Sequence, residues 1–214
     1  MDLTPNTSSV IISLRVLFLK FGRRINVERV LKEGLMAFVP EYVEHRGNCT
    51  MMYGKDLEPL VMEKSIKTII RLIAKYYFID LNEIKKRYKP LVSSPNLVPI
   101  PFSKKDIFVP IKTRKPMIKN DGAFGYINMR YIKDIKKRDG SPIIHLMNGV
   151  DIPCLCSMET VDKHIRDGHI INRCYEDRYM TGVAEAEAMY NTLIPATKAD
   201  IAMILSRLPV NTNN

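Results

Sequence analysis

The sequence predicts an α+β protein: a β-rich central domain flanked by N-terminal and C-terminal helices. Three observations support this prediction. Short apolar runs separated by turn residues fill the middle of the chain, apolar residues recur at helical spacing before and after it, and prolines interrupt the helical pattern between them. We therefore divide the chain into a helical N-terminal extension, residues 1–34, a β-rich core, residues 35–178, and a helical C-terminal tail, residues 179–214.

The first segments of the chain have helical character. Residues 9–21 are mainly apolar, and residues 26–32 have a helical composition that ends at Gly34. The apolar run contains Arg15 and is shorter than the about 20 residues of a membrane span. We interpret it as a buried or interface helix and expect no membrane partner.

Two strands and two helices are expected next. Residues 35–39 and 47–53 are strand-like and are separated by a polar turn. Residues 62–77 place isoleucines at helical spacing, with basic residues mostly on the opposite face. Asp80 is a suitable N-cap for a second helix that includes Tyr88.

The β-rich centre follows a proline-rich stretch. The turn Asn148-Gly149 between two apolar runs predicts the clearest hairpin of the chain. Further extended segments are expected over residues 107–111, 124–128 and 131–135. Helices in the C-terminal third are expected over residues 158–171, with Ser157 as N-cap, and over residues 184–193 and 199–208.

The positive charge of the protein is concentrated in its middle. Lys and Arg total 33 against 23 Asp and Glu, a net charge of +10. Residues 104–140 have 11 basic and 4 acidic side chains, whereas residues 141–214 have 6 and 9. A localised basic excess attracts polyanions and is typical of nucleic-acid binding. It is also compatible with an acidic protein partner, or with a basic surface that has no binding role.

Signatures of catalysis are missing from the sequence. There is no phosphate-binding loop, dinucleotide-binding turn or nucleophile elbow. A metal-dependent nuclease would need clustered carboxylates, and Asp121 and Asp134 could converge in space. We expect a non-enzymatic protein without a cofactor. A metal-dependent nuclease and a basic protein-interaction module remain the alternatives.

The four cysteines do not form the framework of a disulfide-rich protein. Because no secretory signal is visible either, we expect a cytoplasmic protein. Cys154 and Cys156, followed by His164, His169 and Cys174, raise the question of zinc. Their strand-like, apolar surroundings favour buried cysteines without a metal.

Duplex DNA is the partner that the basic centre predicts. Lysines and arginines supply phosphate contacts, which release condensed counterions. Base reading needs additional polar groups, for which Thr113, Asn120 and Asn128 are candidates. The predicted DNA-binding residues are Lys85, Lys86, Arg87, Lys104, Lys105, Lys112, Thr113, Arg114, Lys115, Lys119, Asn120, Arg130, Lys133, Lys136, Lys137 and Arg138.

A succession of short motifs runs through the centre of the chain. They are Val39-Pro40-Glu41, Val98-Pro99-Ile100, Ile107-Phe108-Val109-Pro110, Gly125-Tyr126-Ile127-Asn128 and the Asn148-Gly149 hairpin. Over about residues 35–172, this order resembles the ComK family of competence transcription factors. Tyr126 occupies the position where the family has Trp. The resemblance implies a transcription activator that binds A·T-rich DNA as a homo-oligomer. It also implies regulated proteolysis, and hence a regulatory protein or protease adaptor as partner.

The end of the β-rich centre has a second resemblance. The segment 126–132 and the hairpin after it are similar to the end of a LytTR-type DNA-binding domain, which reads DNA through its loops. Both resemblances imply DNA binding and differ in the pathway served. The acidic, Ala-rich segment 179–214 would repel phosphate, so we expect it to serve self-association or a partner protein.

Overall fold

The computed structural model describes residues 27–193 together with Lys198 and Ala202, with side chains up to Glu176 in the last helix. Residues 9–21 lie outside the described part, as does nearly all of the helix expected over residues 199–208. The described helices are α1 (Val27–Glu33), α2 (Ile66–Tyr76), α3 (Leu81–Tyr88) and α4 (Met158–Leu193). The strands are β1 (Leu35–Val43), β2 (Gly47–Gly54), β3 (Leu60–Met62), β4 (Ile100–Pro101), β5 (Ile107–Lys112), β6 (Phe124–Asn128), β7 (Ile132–Arg138), β8 (Ser141–Leu146) and β9 (Asp151–Pro153).

The α+β prediction is confirmed. The strands form two antiparallel sheets, a six-stranded one in the order β3-β2-β1-β6-β5-β4 and a three-stranded one in the order β7-β8-β9. The predicted hairpin is present, because β8 and β9 pair on either side of Asn148-Gly149. β1 lies inside the large sheet between β2 and β6, and residues 35–40 are buried on both faces of the strand.

Each face of the large sheet is covered by one layer, so the fold has three layers in all. On one face, Phe38 and Phe108 pack with Val30 of α1 and Ile69 of α2. On the other face, Val39 and neighbouring apolar residues pack with the small sheet and with Val161 of α4. Alternate side chains of a strand point to opposite faces. β1 therefore contributes side chains to two cores, one on each face of the large sheet.

The helix caps follow from the sequence. Ser65 Oγ accepts a hydrogen bond from Thr68 N at 3.4 Å at the start of α2. Asp80 Oδ1 accepts one from Asn82 N at 2.7 Å, and Ser157 Oγ accepts one from Thr160 N at 3.3 Å. Each side chain satisfies a backbone N–H that has no partner within its helix. The predicted caps at Asp80 and Ser157 are confirmed.

The last helix differs from its prediction. The helices expected over residues 158–171 and 184–193 are one continuous helix, α4, because residues 172–183 contain no proline to end it. α4 also packs close to the large sheet. A Cβ on Gly168 would lie 2.7 Å from Val109 Cγ1. The division of the chain into extension, core and tail stays a prediction, and α4 runs across the expected boundary after residue 178.

No helix among the described residues is both long enough and apolar enough to span a membrane.

The end of α2 has an unusual residue. Phe78 N donates to Lys75 O at 3.2 Å, and Ile79 N donates to Ala74 O at 2.9 Å. This is the hydrogen-bond pattern of a Schellman motif, in which glycine usually takes the left-handed position. Here Phe78 takes it, with φ of 55°, and its side chain is 97% exposed. The backbone strain is therefore not offset by burial of the ring.

Replacing Phe78 with glycine is expected to raise the free energy of unfolding by about 0.5–1 kcal/mol, because relief of the left-handed strain exceeds the added entropy of the unfolded chain. Urea denaturation should show a higher midpoint with an unchanged slope. Phe78→Ala is the matched control, since it removes the ring but keeps the Cβ and the strain. A Phe78→Gly protein less stable than wild type would mean that the ring stabilises the fold.

Candidate nucleic-acid interface

The basic side chains of the central segment face outward. Ten of the eleven lysines and arginines between residues 104 and 138 are exposed. The exception is Arg114, which is 7% exposed. The exposed ones are Lys104, Lys105, Lys112, Lys115, Lys119, Arg130, Lys133, Lys136, Lys137 and Arg138.

The acidic side chains of the same segment are largely held within the fold. The half-buried Asp106 accepts hydrogen bonds from Ser103 Oγ at 2.6 Å and Asn128 Nδ2 at 3.0 Å. The half-buried Asp121 accepts one from Asn48 Nδ2 at 2.9 Å. Asp134 pairs with Lys136 Nζ at 2.9 Å, and the hydrogen bond from Lys136 lowers the pKa of Asp134. This arrangement leaves the surface of the segment predominantly positive.

One group of the predicted residues borders a groove of about 450 Å³ between β7 and α4. Its exposed cations are Lys104, Lys105 and Arg130. Ile132 of β7 and Ile165 of α4 are among the half-buried side chains that line it. We call this site the basic groove. The lining of the basic groove combines exposed positive charge with an apolar wall.

A second group lies on the connection between β5 and β6, residues 113–123, which we call the β5–β6 loop. Lys115 and Lys119 are exposed there, and Lys112 precedes the loop on β5. Lys67 Nζ of α2 donates to Asn120 O at 3.2 Å, so α2 adds a cation that sequence reasoning missed. The six residues of β5 separate this loop from the basic groove by about 17 Å, at about 3.4 Å per residue.

The structure separates the remaining basic candidates into two further places. Lys133, Lys136, Lys137 and Arg138 lie on β7, where Arg138 forms an ion pair with Asp151 at 3.7 Å. Lys85, Lys86 and Arg87 are exposed in the last turn of α3. Cations are favoured there by the helix dipole alone. The predicted DNA-binding residues therefore lie on several elements of the fold.

Arg114 does not reach the surface. Its guanidinium lies over the ring of Tyr42 at 4.1 Å, with Nε donating to Gly122 O and Nη2 donating to Asn48 Oδ1, both at 2.7 Å. The remaining nitrogen, Nη1, is buried, so in this conformation the guanidinium is not presented to a phosphate. Arg114 is a structural residue of the β5–β6 loop in this conformation, in place of the DNA contact predicted from the sequence.

Two of the three candidate base-reading residues are also turned inward. Asn128 is fully buried and donates through Nδ2 to Leu35 O at 3.2 Å. The Oγ1 atom of Thr113 is buried. Asn120 is exposed, with a left-handed φ of 80°. Of the three, only Asn120 has the exposure that base contact requires.

The zinc site and the metal-dependent nuclease would both need side chains grouped around a metal ion. The predicted burial is confirmed for Cys154, and this burial raises the pKa of its thiol to about 12. Cys156 is half-buried. Among the residues that the structure describes, no group of three or more His, Cys, Asp or Glu side chains is arranged to hold a metal ion. Asp121 lies in the β5–β6 loop and Asp134 on β7.

No family model, curated protein or solved structure matches the chain. The resemblances to ComK and to LytTR-type domains therefore stay predictions.

Proposed function

We propose that the protein binds double-stranded DNA and acts as a transcription activator. The observation that carries the proposal is the sorting of charge between residues 104 and 138: ten cations face solvent, while the carboxylates of Asp106 and Asp121 serve hydrogen bonds of the fold. Phosphate contacts from several exposed cations release condensed counterions, which supplies most of the non-specific affinity for duplex DNA. The role in activation rests on the resemblance to the ComK family.

Two surfaces are best placed to contact the duplex: the basic groove and the β5–β6 loop. They lie about 17 Å apart along β5, within the about 34 Å of one helical turn of DNA. One protein could therefore contact the backbone at two points of a single turn. A fluorescence-anisotropy titration against A·T-rich and G·C-rich duplexes at several salt concentrations tests the proposal. Steep salt dependence with A·T preference is expected, and absence of duplex binding would overturn it.

Neutralising the loop lysines should weaken binding and flatten its salt dependence. The variant Lys112→Gln, Lys115→Gln, Lys119→Gln can lose up to three phosphate contacts. Each contact changes the slope of log K against log salt by about 0.9, so the slope should fall by up to about 2.7.

The matched control for this variant removes the same charge from other exposed lysines. Lys32→Gln, Lys55→Gln, Lys75→Gln changes α1, the segment after β2 and the last turn of α2, and its salt slope should stay close to that of wild type. Equal losses in the two variants would indicate attraction by net charge in place of a defined surface. The set Lys104→Gln, Lys105→Gln, Arg130→Gln examines the basic groove in the same way.

A further inference from the structure

The tip of the β5–β6 loop exposes two large apolar side chains side by side. Met117 is 77% exposed and Ile118 is 68% exposed. A single exposed apolar residue is ordinary in a folded protein. Here two such residues are adjacent at the tip of a loop, with a lysine on either side. Because neither side chain is buried in the core, the stability of the fold does not explain why both are apolar.

The base of this loop is held by several polar contacts. Arg114 binds Gly122 O and Asn48 Oδ1 while its guanidinium lies over Tyr42. The Tyr42 hydroxyl accepts a hydrogen bond from Met117 N at 2.8 Å and donates one to the carboxylate of Asp121.

The backbone of the loop tip also has a defined conformation. Asp121 N donates to Ile118 O at 3.2 Å, which closes a turn, and Pro116 has a restricted φ. The apolar pair is therefore presented in a defined position, so little conformational entropy would be lost when it enters a binding site.

The charge around the pair indicates the chemistry of its partner. Lys115 and Lys119 are exposed on its two sides, and Lys67 is attached to the loop through Asn120 O. The partner must offer negative charge on both sides of an apolar slot. The minor groove of duplex DNA fits this description where a base step opens, since two phosphate walls about 6 Å apart flank the groove and the apolar faces of the bases become accessible between the unstacked pairs.

We propose that Met117 and Ile118 form an apolar wedge that enters the minor groove and opens a base step, thereby kinking the duplex. Lys115 and Lys119 contact the phosphates on the two sides of the groove. Met, Ile and Pro are side chains that minor-groove proteins use as wedges, and such insertion bends DNA by about 20–90°. The proposal rests on the DNA binding proposed above and adds a site and a mechanical consequence to it.

The test measures DNA bending and affinity separately. A duplex labelled with a donor and an acceptor dye at its ends reports bending by energy transfer, and anisotropy reports affinity. In the variant Met117→Ser, Ile118→Ser, we expect the bend to be lost, because apolar burial no longer offsets the cost of unstacking a base step. The affinity should fall by about tenfold or more through the loss of that apolar burial. The salt slope should be unchanged, since both lysines remain.

A matched control removes two other exposed apolar side chains. Met147→Ser, Leu155→Ser changes one residue beside the Asn148-Gly149 turn and one after β9, and it should bend DNA like wild type. Circular dichroism and urea denaturation verify that both double variants are folded.

Four outcomes would overturn the wedge. Wild-type protein that binds duplex without bending it, or a Met117→Ser, Ile118→Ser variant that bends it as well as wild type, would leave DNA binding standing and remove the wedge. Wild-type protein that binds no duplex would remove both proposals. Binding to vesicles of phosphatidylserine and phosphatidylcholine that depends on Met117 and Ile118, with DNA bending unchanged in the variant, would assign the pair to a membrane surface instead.

Discussion

Phe38→Ala is expected to lower the free energy of unfolding by about 3–5 kcal/mol, a large part of the about 5–15 kcal/mol by which folded domains are typically stable. Phe38 is fully buried on β1, inside the large sheet. Its ring lies 5.2 Å from that of Tyr126, with nearly parallel planes, and 5.4 Å from that of Phe108. Truncation would leave a cavity between the large sheet and the helices α1 and α2, and a sheet interior relaxes little to fill it.

Urea denaturation of the purified variant measures this effect, with Phe78→Ala as the matched control. The control makes the same chemical change at an exposed position and should alter stability by less than about 0.5 kcal/mol. Equal stability of the two variants would mean that the ring of Phe38 is not a central part of the core.

Arg114→Leu is expected to lower the free energy of unfolding by about 1–3 kcal/mol, because the acceptors Asn48 Oδ1 and Gly122 O lose their donor. The loss is moderated because both acceptors are half-buried and because the substitution also removes the buried Nη1 atom, which has no hydrogen-bond partner among the described residues. The stacking on Tyr42 would be lost as well. Arg114→Lys should restore little of this stability, since an ammonium group cannot reproduce the planar fork of the guanidinium.

The neighbouring residue provides the control for this prediction. Lys115→Leu removes the same charge at an exposed position and should change the urea midpoint little. The two variants also differ in their expected effect on DNA. Arg114→Leu should reduce affinity through the loss of loop structure, whereas Lys115→Leu should reduce it through the loss of one phosphate contact. If Arg114→Leu were as stable as Lys115→Leu, Arg114 would not be the residue that holds the loop.

Local patterns in the sequence predict most of the elements. The isoleucine spacing of α2, the caps Asp80 and Ser157, and the turn Asn148-Gly149 each depend on residues within a few positions of one another. The concentration of basic residues between 104 and 140 is likewise a property of the sequence alone. These signals alone predict the fold class and the segment of the chain with the largest excess of positive charge.

Only the tertiary structure decided what each basic residue does. Arg114 and Lys115 are neighbours with similar charge, yet one is buried and the other is exposed. The difference arises because Tyr42 and Asn48, which lie 72 and 66 positions before Arg114 in the chain, are brought against it by the antiparallel pair β1–β2. The local spacing of residues in the sequence does not predict contacts between residues so far apart in the chain. The division of the basic segment between the two ends of β5 follows from strand pairing in the same way. The order Lys115-Pro116-Met117-Ile118-Lys119 is present in the sequence, but only the structure shows that Met117 and Ile118 are exposed.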